Sequence, residues 1–424
     1  MSSVINNSNL NSALVNTLNA SVSLKNPQVY NTKPIYPAHA VTYSKNNPSN
    51  GNQPVRSSTT NFMLNKYGII SQILLTYQKS YTNGTSGALT LGSVQNDFFN
   101  CVEKVELLSS SRVISTLTKI DIMAQFSNLP TNKMAVIAEN LLEPKSAGSV
   151  LATATSPDLA FTCPLVFGFM KDINTQLNAS FLEPLSVRVT WGKDWNESTN
   201  FATGVVGNIH TPELSVRYKN YQEDSNAKIL TENFDKPTLN MLSTRFYDEN
   251  RSSVLSTTAL ATSENITVEL KNTECVQDFY VVLLRTDPAG AGASATGASD
   301  ILQVVPQAIT KIEFTGSGQE IVALTSEQLA YARLDSDGFS VGQDASVTAN
   351  GFTKVIKFQT GVYGNMVMSN TLSLREINSP QIKIYFNIPA STNLSRYYAY
   401  VVEDCSSIFS ITSATGSIQS SLSN

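Results

Sequence analysis

Val102-Glu103-Lys104-Val105-Glu106-Leu107-Leu108-Ser109-Ser110-Ser111-Arg112-Val113-Ile114-Ser115-Thr116-Leu117-Thr118 aligns without a gap on Ile309-Thr310-Lys311-Ile312-Glu313-Phe314-Thr315-Gly316-Ser317-Gly318-Gln319-Glu320-Ile321-Val322-Ala323-Leu324-Thr325. Six of the seventeen positions are identical, and several others exchange one apolar residue for another. The offset is 207 residues, about half the chain of 424. Solenoid units run about 20–50 residues, so a period this long points to two tandem copies of a whole domain.

The repeated segment has a readable local form. Val105 and Leu107 fall on one face of a strand, Lys104 and Glu106 on the other. Ser109-Ser110-Ser111 and Gly316-Ser317-Gly318 are turn chemistry, and a second short strand follows. This spacing predicts a β-hairpin with a loop of three to four residues. Thr118 and Thr325 then stand as helix N-caps. Thr325-Ser326-Glu327-Gln328 fits a capping box, and Thr118-Lys119-Ile120-Asp121 is a weaker version because aspartate is short. One short helix per copy is expected, at 119–126 and 326–333.

Working outward, the chain is strand-like. Val187–Trp191, Ile266–Leu270 and Ile382–Phe386 alternate, while Phe279–Leu284 is a continuous apolar run suited to a strand buried on both faces. Ile69–Tyr77, Leu214–Tyr218 and Tyr397–Val402 are further strand candidates, separated by Gly, Asn, Ser, Thr and Pro clusters. Many short strands with few helices predict an all-β chain of two tandem β-sandwiches. The expected organisation is an extended arm over 1–56, a first sandwich over 57–222, a linker over 223–235, a second sandwich over 236–412 and a tail over 413–424.

Composition restricts the function classes. Charged residues make up 15% of the chain, against a usual quarter, and Ser, Thr and Asn fill the deficit. Such a surface suits close packing against neighbours, although β-rich chains also use less Lys and Glu. No Asp or Glu precedes Asp97, so Lys25, Lys33, Lys45, Arg56, Lys66 and Lys79 give residues 1–96 a formal +6. The net charge of −4 then leaves −10 on the remainder. An Asn/Ser-rich basic arm reads either as a tether docking on neighbouring subunits or as a contact to anionic lipid or nucleic acid. Lys25, Lys33, Lys45 and Arg56 are its candidate contact residues. No apolar stretch reaches a membrane span and no secretory leader is legible, so synthesis in the cytosol is expected.

Chemistry is sparse. Cys101, Cys163, Cys275 and Cys405 are far apart and form neither a ligand cluster nor an evident disulfide framework. His39 and His210 lie in no nucleophile motif, and no Walker or dinucleotide fingerprint occurs. Pro288–Ser299 reads as a flexible loop. Two weak candidates stand beside bland readings. Asp335, Asp337 and Asp344 are either calcium ligands or a solvated turn. Glu183 with Asp194 would be a glycosidase pair only if the fold set their spacing. The expectation is therefore no catalytic residues, no cofactor, no metal and no specific nucleic-acid recognition.

Pro164-Leu165-Val166-Phe167-Gly168-Phe169, followed by Phe181-Leu182-Glu183-Pro184-Leu185-Ser186-Val187-Arg188-Val189-Thr190-Trp191, resembles a pattern in the double jelly-roll major capsid proteins of tailless icosahedral DNA viruses. Glu-Pro-Leu stands here for the Leu-Pro-Leu of that pattern, and the likeness spans roughly 57–412. It implies that the two tandem β-sandwiches are eight-stranded jelly rolls, with few short helices, and that homotrimeric, pseudo-hexagonal capsomers tile an icosahedral shell over an internal membrane. It also implies neighbouring capsomers, penton and minor capsid proteins, and membrane lipid at the arm, as partners. The virion capsid is the implied location. A viral spike, a sugar-binding β-sandwich and a glycoside-active enzyme are the competing classes.

Overall fold

The computed structural model describes residues 40–46, 48, 54–66, 68–83, 89–90, 98, 101–126, 150–151, 159–170, 176–192, 205–220, 238–256, 262–272, 275–286, 303–304, 309–328, 356–359, 372–388, 395–412 and 415–420. The first half contains β1 (Ala40–Asn46), β2 (Thr59–Met63), β3 (Ile69–Asn83), β4 (Leu89–Thr90), β5 (Val102–Ser109) and β6 (Arg112–Thr118). Helix α1 (Lys119–Phe126) follows, then β7 (Val150–Leu151), β8 (Leu159–Leu165), β9 (Leu185–Trp191) and β10 (Val205–Asn220). Two four-stranded antiparallel sheets, in the orders β1-β10-β3-β8 and β2-β9-β5-β6, make the first jelly roll, with β4 and β7 pairing apart from them.

The second half holds β11 (Thr238–Ser256), β12 (Thr262–Glu269), β13 (Cys275–Thr286), β14 (Gln303–Val304), β15 (Ile309–Gly316) and β16 (Gln319–Thr325). It continues with β17 (Ile356–Gln359), β18 (Leu372–Ser373), β19 (Gln381–Ile388), β20 (Ser395–Thr412) and β21 (Ser417–Ser420). Its sheets run β12-β19-β15-β16 and β11-β20-β13, with three short strands (β14, β17 and β18) along the free edge of β13 and β21 on β20. Strand for strand this repeats the first half, and the β8 position is taken by those three short pieces.

The duplication holds at the level of single residues. Lys104 pairs with Thr118 across the first hairpin and Lys311 with Thr325 across the second. Each hairpin has a bulge at the same place, so that Ile114 and Ile321 are the extra residues. Each turn carries a serine in the left-handed region, Ser110 at φ 55° and Ser317 at φ 53°. Their N–H groups donate to Pro184 O and Asn378 O, the loop carbonyls before β9 and β19. The loops hold two residues, not three to four, because the bulge brings Ser109 opposite Arg112. Gly318, at φ 77°, supplies the second left-handed position in the second turn.

Alternation builds the cores. Ile73, Leu75, Tyr77 and Lys79 of β3 point inward, and Tyr77 stacks on Phe98 and Phe161 and meets the Trp191 ring edge-on. Trp191 Nε1 donates to Thr60 Oγ1 at 2.8 Å, which satisfies the indole in the interior. In the second roll the Glu403 carboxylate is fully buried and accepts from Asn250 Nδ2 at 2.6 Å and Asn272 Nδ2 at 2.7 Å. A buried polar group is tolerable only with such hydrogen-bond partners.

Two boundary expectations differ from the structure. Residues 40–46, expected within the arm, form β1 and pair with β10 from Ala40↔Asn220 to Asn46↔Leu214. Residues 417–420, expected in the tail, form β21 against β20, and Ile418 is buried in the core. β1 is set in an Asn/Ser/Pro-rich stretch and β21 has only four residues, so neither stands out locally, and pairing to a long neighbouring strand decides their form. The linker at 223–235 and helix residues 329–333 lie outside the described residues.

Candidate functional site

The hairpin and helix start repeated in the two rolls carry the densest polar geometry. In the first, Glu106 accepts from Lys104 Nζ at 2.9 Å and from Arg188 Nε at 2.7 Å, the latter directly opposite it on β9. Burial pushes the Glu106 carboxyl up, but the hydrogen bonds from Arg188 and Lys104 outweigh it and hold the group below its usual value. In the second roll Glu313 bonds Lys311 and accepts from Tyr385 Oη at 2.8 Å, with Lys383 opposite it on β19. The Lys311 bond is the main reason its carboxyl is also held low.

Both predicted capping boxes close. Thr118 N donates to Asp121 Oδ2 at 2.8 Å and Asp121 N to Thr118 Oγ1 at 3.2 Å. Thr325 N donates to Gln328 Oε1 at 2.9 Å and Gln328 N to Thr325 Oγ1 at 3.5 Å. Aspartate at the third helical position is therefore long enough here.

The first of these two elements is the seam between the rolls. Helix α1 packs on β11, β13 and β20 of the second roll. β13 is buried on both faces, as its apolar run predicts: Phe279, Val281 and Leu283 face its own roll, while Tyr280, Val282 and Leu284 join the core of the first. Phe169 and Phe409 approach at 6.4 Å between ring centroids. A Cβ on Gly168 would sit 1.7 Å from Thr244 O of β11. Across the seam Thr118 Oγ1 donates to Asp248 Oδ2 at 2.6 Å, and burial pushes the Asp248 carboxyl up. Glu183 N donates to Gly416 O at 2.9 Å, which ties the first roll to the turn before β21.

The residues singled out in the sequence scatter. Lys25, Lys33, His39, Asp194, Asp335, Asp337, Asp344 and Pro288–Ser299 lie outside the described residues. Lys45 sits in β1 opposite Ser215, and Arg56 is exposed. Lys79, counted with the basic N-terminal charges, is a correction: it is fully buried, with Nζ 3.2 Å from Cys101 Sγ, and so adds nothing to a basic surface. Glu183 accepts from Ser109 Oγ at 3.2 Å and Ser110 Oγ at 3.1 Å, which makes it a tie to the hairpin turn. His210 lies in β10 opposite Gln78. None of the four cysteines forms a disulfide. Among the described residues no group of three or more His, Cys, Asp or Glu is placed to hold a metal ion, and no helix is long and apolar enough to cross a membrane. Sequence reasoning missed Thr118–Asp248, because nothing local to either residue marks a partner 130 positions away.

No protein-family model and no curated protein matches the chain. Solved structures do match its fold. The PBCV-1 virus capsid protein superposes with a TM-score of 0.61 at 11% identity, covering 92% of this chain and 98% of that one. The mavirus major capsid protein gives 0.56 at 11% identity, over 92% of each chain. The Faustovirus major capsid protein gives 0.53 at 10% identity, over 89% of this chain and 91% of its own. The likeness is one of fold: this chain is a double jelly roll built like those of viral major capsid proteins.

Proposed function

We propose that this chain is a major capsid protein whose homotrimers are pseudo-hexagonal capsomers of an icosahedral shell. The observation that carries the reading is the fusion of two topologically equivalent rolls into one body by an apolar seam. A trimer of such chains presents six similar lobes, and six-fold lobes tile a surface with a single protein. The full-length likeness to viral capsid proteins supports the same reading. Lateral contacts between capsomers would use shape and hydrogen bonds from a Ser/Thr/Asn-rich surface more than strong charge.

The working division keeps the two sandwiches over 57–222 and 236–412, with β1 and β21 added to them and residues 1–39 as the arm. Lys25 and Lys33 in the arm, with Lys45 and Arg56 near it, face the shell interior, where neighbouring subunits or an internal membrane order them. Each such charge is worth on the order of 1 kcal/mol beside an anionic membrane. Penton and minor capsid proteins are further partners, and the virion is the working location.

Light scattering of the purified chain, with electron microscopy of its assemblies, tests the reading. Particles of three times the 46.0 kDa chain mass with hexagonal outline are expected. A stable monomer at micromolar concentration under assembly salt overturns it.

A further inference from the structure

Lys79 ends an inward row on β3, after Ile73, Leu75 and Tyr77, and it is fully buried. Its strand lies inside its sheet, with Lys79 opposite Ile209 of β10 on one side and Leu159 of β8 on the other. The side chain therefore cannot swing out to water without breaking the ladder. Lysine is almost never fully buried unless it is paired, and Lys79 Nζ points at a sulfur, Cys101 Sγ at 3.2 Å. Cys101 is held as firmly. It is fully buried, stands directly before β5 in the facing sheet, and its carbonyl accepts from Gly192 N at 2.8 Å. An amine and a thiol thus face each other across the first sandwich, within the about 3–3.5 Å of a near-attack arrangement.

We propose that Lys79 and Cys101 form an oxidative modification site, at which dioxygen joins Nζ to Sγ through a single oxygen. The step balances with one dioxygen: –NH2 + HS– + O2 gives –NH–O–S– + H2O. N–O and O–S bonds form, while N–H, S–H and O–O bonds break. Nitrogen and sulfur are each oxidised by two electrons, and dioxygen takes all four. The two displaced hydrogens leave in the water. Two equivalents of a dithiol reverse the step, restoring amine and thiol and releasing the bridging oxygen as water. Dioxygen suits a fully buried pair because it is small and apolar, whereas a bulky disulfide oxidant cannot reach the sulfur. The site is specific to this pair. Cys163 Sγ faces the Pro164 carbonyl, and burial pushes its thiol well up. Cys405 Sγ accepts from Asn272 Nδ2 at 3.0 Å, an amide whose nitrogen is no nucleophile. The second roll has Ala308 where the repeat places Cys101, so it lacks the sulfur. The bridge would tie the two sheets of the first roll together as a covalent strut, and it stands apart from the capsomer reading.

Intact mass and thiol counts of the full chain, prepared under reductant and then under dioxygen, test this. Dioxygen exposure should add one oxygen and remove two hydrogens. Three of the four cysteines should then alkylate on unfolding, and a peptide map should join Lys79 to Cys101. Dithiothreitol should restore the original mass and the fourth thiol. The bridged form should melt about 5 °C higher, since the link closes the 22-residue span from β3 to β5. Lys79→Met keeps an unbranched side chain, removes the amine and should abolish the mass change. Unchanged mass with all four thiols free overturns the site. Oxygen on Cys101 alone, or a link that lacks the oxygen, overturns it equally, and equal melting of bridged and reduced chains overturns the strut. Because the mass and map use the unsubstituted chain, they decide the matter even where the variant unfolds.

Discussion

Thr118 donates its hydroxyl to Asp248 at 2.6 Å, from the N-cap of α1 in one roll to β11 in the other. The same oxygen accepts from Asp121 N and so caps the helix. Its counterpart Thr325 caps a helix but crosses no seam. The two threonines are thus a matched pair, one with and one without the inter-roll bond.

Thr325→Ala should cost about 1 kcal/mol, the loss of an N-cap. Thr118→Ala should cost roughly 2–3 kcal/mol, because it also removes the side-chain donor from a half-buried carboxyl group. The difference in urea midpoints isolates the seam bond. Equal losses would show that the bond contributes nothing.

Asp248 sets a pH dependence of defined sign. Burial raises its pKa in the folded chain, with Glu249 adding to the rise while Thr118 and Arg251 oppose it. The folded state therefore binds the proton more tightly than the unfolded one. Stability contributed by this group falls as pH rises from the unfolded carboxylate value, about 3.9, through the raised folded value. Asp248→Asn keeps an acceptor for Thr118 and should flatten this part of the profile.

Glu106 acts in the opposite direction. Its folded pKa is depressed, so its stabilisation is complete above the unfolded value of about 4.3 and is lost as pH falls through the folded one. Glu106→Gln should cost about 1–2 kcal/mol at neutral pH, with Glu313→Gln costing less because the Glu313 side chain is itself more exposed, 14% against 8% for Glu106. Thermal melts at neutral and acid pH check both the order and the sign.

The fold was legible because its signals are local and twice written. Lys104, Glu106, Ser110, Ile114, Leu117 and Thr118 recur in register, and each recurs for a physical reason: an ion pair, a left-handed turn, a bulge, a cap. The doubly buried strand was legible as the uninterrupted run Phe279–Leu284. The seam was not. Gly168 reads as an ordinary loop glycine until Thr244 O is found where its Cβ would be. Lys79 reads as a surface charge by residue type, although the alternation of Ile73, Leu75 and Tyr77 carries it into the core. β1 and β21 were missed because short strands at the ends of the fold owe their form to the partner they pair with.

Gly168→Ala should be among the most damaging single-methyl additions in the chain. The new Cβ meets backbone, not a movable side chain, so the rolls must separate or the turn at Gly168–Met170 must shift. A loss of about 1–3 kcal/mol or more is expected. Gly318→Ala, where a Cβ meets open space and only the positive φ resists, should cost about 1 kcal/mol.

The N-terminal boundary gives the last test. Deleting residues 2–38 should leave the fold and its melting temperature unchanged, because β1 begins at Ala40. Extending the deletion to residue 50 removes all seven residues of β1, each paired with β10. A ladder bond contributes about 0.5–1.5 kcal/mol net, and ordering the strand costs backbone entropy in return. A net loss on the order of 3 kcal/mol follows. The longer deletion also bares the edge of β10, whose unpaired N–H and C=O groups would template association with other chains. The two truncations should therefore separate sharply: the shorter stays folded and is impaired only in assembling shells, while the longer melts earlier and aggregates. Equal melting temperatures for both would place β1 outside the stabilising sheet.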